Sequence, residues 1–441
     1  MSSPAAKSTP SLVVSAVEGD TLVETIYRPE TLETALAIAI DGDVRTAGEW
    51  QNGHGRHVPM RPTNNLLRHQ ALLLPSEPAE YGDTERLIEE IETYIRRYVR
   101  LGEEALGVCT AYVLLSWVYD AFNELPYLRF RGDYGTGKSR ALLVVGSICY
   151  KAFFASGAST VSPIFHTLDT FKGTLVFDEA DFRFTDEKSE LVKILNNGNT
   201  KGFPVLRTQV TPKHEFDPRA FSIYGPKIVG MRRSYEDKAL ESRFLTIEME
   251  PGSVAGVPIN LPDLQKDDAL ALRNKLLMYR FRARTTVTLD AVQADPAFEP
   301  RMNQILMPLL AVAADETLRH AVRSAAQRIQ KGIVSDRSDS TEANLIAIVA
   351  NLSTVPEGYL SVSEITTAFV AAHAADYQRP IVNRWIASWL RRLGILLYKR
   401  NGVFVMLPGQ DERIAALCKR FGVSEPANTY STPDGSQDPE R

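Results

Sequence analysis

Three glycines, a lysine and a serine fall where phosphate chemistry needs them. Residues 127–142 read YLRFRGDYGTGKSRAL, in which Gly132, Gly135, Gly137, Lys138 and Ser139 match the pattern G-x-x-x-x-G-K-[ST]. Glycines let successive backbone N–H groups curl around phosphate oxygens, and a helix opening at the lysine adds the partial positive charge of its N-terminus. Lys138 then reaches the β- and γ-phosphates, and the Ser139 hydroxyl ligates Mg2+. Gly132, Gly135, Thr136, Gly137, Lys138, Ser139 and Arg140 are therefore assigned to nucleotide binding. Downstream, residues 171–182 read FKGTLVFDEADF, an apolar run ending in Asp178-Glu179. A strand ending there, at the carboxyl edge of a sheet beside the phosphate loop, delivers Asp178 to the Mg2+, usually through water. Glu179 then fits the residue that polarises the attacking water.

These residues act together only if strands and helices hold them. Residues 127–131 are β-rich, and residues 138–148 form an apolar helical run. Ahead of them, Leu87, Ile88, Ile91, Ile95 and Val99 recur at helical spacing with Arg and Glu opposite, and residues 105–123 are apolar nearly all round, which predicts a buried helix. After the acidic pair come a helix at 187–196, a strand at 205–210, a polar turn at 211–218 and a second apolar strand at 221–231. That hairpin displays Lys213-His214 at its tip, which suits a grip on a phosphate backbone in a central pore. Arg243 sits between a short helix (235–242) and a strand (244–249), where it fits a finger on a neighbour's γ-phosphate. PGSVAGVPINLP, at 251–262, marks a boundary, and residues 267–330 are helical by periodicity, with Arg301 at a helix start.

At the two ends the patterns change. Residues 12–78 contain short runs (SLVVSAV, TLVETIY, ALAIAI) between Gly, Asp, Asn and Pro clusters, which predicts a small β-containing domain. Beyond a polar linker at 331–340, helices at 342–352, 363–372 and 381–393 precede strands at 396–399 and 403–407 joined across Arg400-Asn401-Gly402. Three helices and an Asn-Gly hairpin predict a winged helix. Its third helix turns Trp385, Ile386, Trp389, Leu390 and Leu393 inward and Arg384, Ser388, Arg391 and Arg392 outward. With Lys399 and Arg400 this forms a DNA surface, although the same fold also serves protein docking. The first 11 residues and residues 424–441 read as disordered tails.

Composition sets the outer limits. The 441 residues are 44 % hydrophobic and 24 % charged, an ordinary globular balance with room for two to four domains. Lys+Arg 50 against Asp+Glu 54 leaves a net charge of −4, so any DNA contact must come from a local basic surface. Cys109, Cys149 and Cys418 are far apart and not in metal-ligand spacing, which suggests a reducing compartment and no structural zinc. With no apolar signal core and Asp120 inside the longest apolar run, the expectation is a soluble, cytoplasmic chain without a membrane span.

Taken together, the P-loop, DEAD at 178–181, ILNNGNTKG, YGPKIVG and ALESRF, with the segments 120–122 and 126–128, resemble the ATPase module of phage and mobile-element replicative primase-helicases. That family looks related to superfamily-3 helicases within the AAA+ class, and the match covers roughly residues 105–250. The resemblance implies ATP and Mg2+ as ligands and a homo-oligomeric ring, the class's hexamer, around single-stranded DNA. It maps the pore grip onto Lys213 and His214 and the finger onto Arg243. The sensor position of the class, usually Asn, falls near Arg232 or is absent. The expected layout is α/β: a small N-terminal domain (1–80), a helical lead-in (81–125), an AAA+ P-loop ATPase core (126–250), a helical lid (251–335), a winged-helix domain (336–420) and a tail (421–441). Two other readings stand beside a helicase: a DNA-bound ATP switch that recruits without unwinding, and a protein remodeller. Lys213-His214 speaks against the remodeller, whose pore loop would be aromatic.

Overall fold

The computed structural model describes residues 10–178, 186–210, 216–235, 237–250, 256–290, 294–338, 340–353, 359–377 and 380–424. Glu179, Asp181, Lys213, His214 and most of both expected tails lie outside them. The chain forms two compact units, residues 1–327 and 328–441.

The first unit opens with seven strands: β1 (Ser11–Val13), β2 (Ser15–Glu18), β3 (Thr21–Arg28), β4 (Glu33–Ile40), β5 (Asp43–Ala47), β6 (Trp50–Asn52) and β7 (Gly55–Pro59), then a turn of helix, α1 (Asn65–Arg68). β2 to β5 are an antiparallel meander, while β7 pairs with β1 and β6 in a separate small sheet. Glu24 of β3 is buried, which a lone carboxylate does not tolerate. It is paired with Lys151 at 2.7 Å and with Arg280 Nε at 2.7 Å, and Arg280 in turn meets Asp120 at 2.9 Å. The three cationic and acidic segments thereby tie the β sheets to the following core. Burial pulls the Lys151 ammonium down to about 8 against the opposing pull of Glu24.

Helix α2 (Thr84–Tyr98) is amphipathic and capped by Asp83, whose carboxylate accepts from Arg86 N at 2.8 Å. Helix α3 (Glu103–Val118), apolar all round, is buried among α2 and later helices, as its sequence predicts. Then β8 (Tyr127–Arg131), α4 (Lys138–Ser147), β9 (Phe153–Ala155), α5 (Val161–Phe171), β10 (Leu175–Phe177), α6 (Asp186–Asn197), β11 (Val205–Val210), β12 (Phe216–Phe221), β13 (Lys227–Met231), α7 (Lys238–Glu241) and β14 (Phe244–Glu248) follow. Five of these strands form a parallel sheet in the order β14-β8-β13-β10-β9. Central strands of such a sheet are covered on both faces, and β8, β10 and β13 are accordingly buried. Arg129, in the middle of β8, is an exception in chemistry only. Its guanidinium donates to Glu241 Oε2 at 2.7 Å and to Thr246 Oγ1 at 2.7 Å, which pins α7 and β14 to the central strand.

The run at 221–231 is not one strand. β12 begins earlier, at Phe216, and pairs antiparallel with β11 from Val205↔Phe221 to Val210↔Phe216, while β13 joins the parallel sheet. Pro226, which has no N–H to donate, and Gly225, at φ 155°, interrupt the apolar run between them.

Helices α8 (Leu264–Ala283), α9 (Pro300–Val312) and α10 (Glu316–Ser338) come next. α8 packs along α2, α3 and α4, and its Arg273 donates to Ser147 O at 2.7 Å. The second unit holds α11 (Thr341–Ser353), α12 (Val362–His373), α13 (Asn383–Arg392), the antiparallel pair β15 (Leu397–Arg400) and β16 (Val403–Met406), and α14 (Asp411–Phe421). Asn401 and Gly402, at φ 47° and 86°, make the expected two-residue turn between those strands. α14 was not anticipated, although Ile414, Leu417, Cys418 and Phe421 sit at helical spacing and are buried.

Candidate nucleotide site

β8 delivers the chain into the glycine loop at the carboxyl edge of the sheet. Gly135 and Gly137 adopt φ of 72° and 88°, the left-handed region that a side chain disfavours. At Gly132 a Cβ would stand 2.3 Å from Met249 O, so only glycine fits where the loop passes β14's end. α4 starts at Lys138 after Gly137, and no side chain caps it, so its first N–H groups stay available to an anion. Lys138 Nζ donates to Asp133 O at 2.6 Å, and Thr136 Oγ1 donates to the same carbonyl at 2.9 Å.

Ser139 and Asp178 come together as the sequence predicts: Ser139 Oγ donates to Asp178 Oδ2 at 2.6 Å. Two glycines make this possible. A Cβ on Gly230 would stand 2.9 Å from Asp178 Oδ1, and one on Gly146 would stand 2.8 Å from Val176 Cγ2, so α4 lies tight on β10 and β13 leaves room for the carboxylate. A hydroxyl and a carboxylate at the foot of a phosphate loop are hard oxygen donors that fit Mg2+. Arg140 is turned elsewhere, donating to the Pro258 and Ile259 carbonyls and tying α4 to the segment before α8.

Beside the loop opens a cleft of ≈ 810 Å³ whose apolar wall includes Val99, Leu101, Ala105, Met249, Val257 and Ile259. Such a wall suits the flat face of a nucleotide base. Sequence reasoning missed it, because these residues come from three separated stretches. Its only local signal was the apolar joint between α2 and α3.

Arg243 lies at the opposite edge. Its own carbonyl accepts from Tyr127 N at 2.9 Å, and β14 runs parallel to β8 from Phe244↔Tyr127 to Glu248↔Arg131. At ~3.3 Å per residue the strand's length separates it from its own phosphate loop. The guanidinium donates to Asn199 Oδ1 at 3.0 Å, Asn196 Oδ1 at 3.1 Å and Ala239 O. Burial lowers its pKa, and the positive charge of Arg301 lowers it further.

In the hairpin, the expected tip residues Lys213 and His214 fall outside the described residues, and the stem sets Arg207 opposite Arg219. In the second unit Arg384, Arg391, Arg392, Lys399 and Arg400 are all exposed, as predicted. Arg391 lies 4.8 Å over the Phe404 ring, and Phe404 pairs with Lys399, so those three share one face of the strand pair. Arg400 points to the other face, 3.9 Å over Tyr359, and Arg392 stacks on Trp389.

No family model matches the chain, and no curated protein does. Among solved structures it is similar to the SCCmec type IV Cch active helicase, at 12 % identity and TM-score 0.40, over 91 % of this chain and 99 % of that one. The NrS-1 C-terminal region is similar at 11 % identity and TM-score 0.37, over 88 % and 96 %. The Aeropyrum pernix ORC1 protein in complex with DNA is similar at 14 % identity and TM-score 0.21, over 75 % and 96 %. No helix among the described residues is long and apolar enough to cross a membrane.

Proposed function

We propose that this chain is a ring-forming AAA+ ATPase, a hexamer, that couples ATP hydrolysis to movement on single-stranded DNA and to unwinding in the replication of a phage or mobile element. The observation that carries the reading is the 2.6 Å bond from Ser139 to Asp178, between the glycine loop and the end of the neighbouring strand. In this reading the loop's N–H groups and Lys138 bind the phosphates and orient the terminal one. Ser139 and Asp178 would hold Mg2+, which when bound neutralises charge on the β- and γ-phosphate oxygens. Glu179 takes a proton from the water that attacks γ-phosphorus, as the bond to the β-phosphate oxygen breaks and ADP leaves. Arg243 serves a neighbouring subunit's site, since its own lies at the far edge. Lys213 and His214 grip the strand in the pore, and the second unit, read as a winged helix, offers Arg384, Arg391, Arg392, Lys399 and Arg400 to duplex DNA.

A second reading, an ATP switch that marks a duplex site without unwinding, is favoured by one feature. Arg391, Phe404 and Lys399 form a basic, aromatic face in a unit that holds none of the nucleotide residues. The deciding experiment is the ATPase rate with and without single-stranded DNA. Strong stimulation supports the translocase, stimulation by one duplex site alone supports the switch, and a chain that hydrolyses no ATP under any condition overturns both.

A further inference from the structure

The hairpin of the second unit carries aromatic rings and cations on both of its faces, in different proportions. Strand pleating puts Lys399 and Phe404 on one face of the β15–β16 pair and Tyr398, Arg400 and Val403 on the other. The first face continues the exposed arginine side of α13: Arg391 lies over Phe404, and Arg384 is two turns back along the same side of the helix. There three cations surround one ring. The second face is widened by the segment that precedes α12. Met406 N donates to Leu360 O at 2.9 Å and Ser361 bridges Val405, so this segment runs along the edge of β16 opposite β15. Tyr359 reaches from it across β16 to Tyr398, with ring centres 5.9 Å apart and 77° between their planes, and Arg400 lies 3.9 Å over the Tyr359 ring. Here two tyrosines and a valine accompany one cation, and Tyr359 and Val403 are each 44 % exposed.

We propose that this second face binds an unpaired nucleobase, so that the second unit docks on DNA at a junction where one strand continues unpaired, with the paired part on the α13 face. The inference rests on the reading of that unit as a DNA surface. Phosphates call for cations, which the first face supplies. An aromatic ring helps only a base whose own face is free, and inside a duplex each base face is taken by its neighbours. Two tyrosines beside one arginine therefore suit an unpaired base with its single phosphate. Arg400 is placed for both parts: flat on Tyr359 it extends the stacking surface, while its N–H donors stay at the rim for a phosphate. The two faces of a two-stranded sheet look in opposite directions, so one straight duplex cannot lie on both. A junction can, with its paired part on α13 and its continuing strand led past the Asn401-Gly402 turn.

The test is binding of the full chain, without nucleotide and at one salt concentration, to a blunt duplex and to the same duplex with a short single-stranded overhang, followed by fluorescence anisotropy. A 2-aminopurine at the first unpaired position reports stacking there by its quenching. Wild type should bind the overhang duplex more tightly than the blunt one and quench the probe. Tyr359→Ala should bind the overhang duplex about five- to a hundredfold more weakly, the range for losing one base–aromatic stack, leave the probe bright and bind the blunt duplex as before. Tyr359→Phe should behave as wild type, since the ring still stacks without its hydroxyl. The inference is overturned if Tyr359→Ala keeps the wild-type affinity for the overhang, as for a strand held only by the rest of the chain, or weakens both DNAs equally, or quenches the probe as wild type does. Failure of the underlying reading looks different: the charge reversals Arg384→Glu and Arg391→Glu would then leave blunt-duplex binding as it is.

Discussion

The two edges of the five-stranded sheet are built on opposite terms. At the carboxyl edge the polar groups face solvent and hold one another by exchangeable bonds: Lys138 on Asp133 O, Ser139 on Asp178, Arg232 on Tyr134. At the amino edge the Lys227 ammonium is fully buried, donating to the carbonyls of Gly198, Ile223 and Gly225 at 2.9–3.0 Å and lying 4.9 Å over Tyr127. Arg243 is lodged there between Asn196 and Asn199. A ligand can displace contacts at the first edge without stranding a buried group. A change at the second strands one, at about 1–3 kcal/mol per orphan. The first edge is suited to binding, and the second to holding the hairpin's base and Arg243 in a fixed place.

The largest expected effect tests the carboxyl edge. Glu179→Gln should bind ATP normally yet hydrolyse it on the order of 10²–10⁴-fold more slowly, because only the water-polarising group is lost. Equal single-turnover rates for variant and wild type would remove Glu179 from that role.

Mixing experiments join the two edges. Lys138→Ala and Arg243→Ala chains should each be nearly inactive, while an equal mixture restores an intact lysine beside an intact finger at roughly a quarter of junctions. ATPase should then return in proportion if junctions fire independently. No recovery, despite subunit exchange seen by mass, counts against a finger delivered between subunits, and a monomer in every nucleotide state ends the ring.

A smaller effect should separate the edges cleanly. A Cβ at Gly198 would stand 2.5 Å from Lys227 Nζ and 2.6 Å from Ile223 O. Gly198→Ala should therefore destabilise the fold by about 1–3 kcal/mol in denaturant titration, as overpacking does, while nucleotide affinity holds. Loss of nucleotide affinity at unchanged stability would erase the distinction drawn here.

The smallest effect is a pH dependence. Burial pulls the Lys227 pKa from 10.5 down to about 7. Between those values the unfolded chain carries a proton that the folded chain lacks, so stability rises with pH through that window and is level below about 7. Lys227→Met should remove this slope, at most about 1.4 kcal/mol per pH unit. Lys151, pulled to about 8, titrates nearby, so the comparison is between variant and wild type. An identical slope in the two would clear Lys227.

Much of the site was legible because its signals are local. The glycine spacing, the lysine that opens α4, the apolar run into Asp178 and the two faces of α13 each lie within one element, where backbone periodicity alone sets which side chains share a side. The meeting of Ser139 with Asp178 followed from one further rule, that ligands gather at the carboxyl edge of a parallel sheet. The base cleft did not follow, since Val99, Met249 and Ile259 are brought together only by packing. Nor did the break between β12 and β13: both halves of the run are apolar, and only partner choice sends one to a hairpin and the other to the central sheet. No local signal marks Arg129 and Lys227 as buried, yet both are: Glu241 and Thr246 reach Arg129 from more than a hundred residues away, and Lys227 joins the nearby carbonyls of Ile223 and Gly225 to that of Gly198 on another element. By itself the sequence determined which residues are proposed to bear the chemistry. Tertiary structure decided which edge each faces, because strand register, and with it the burial of every charge along a strand, depends on pairing between segments far apart in the chain.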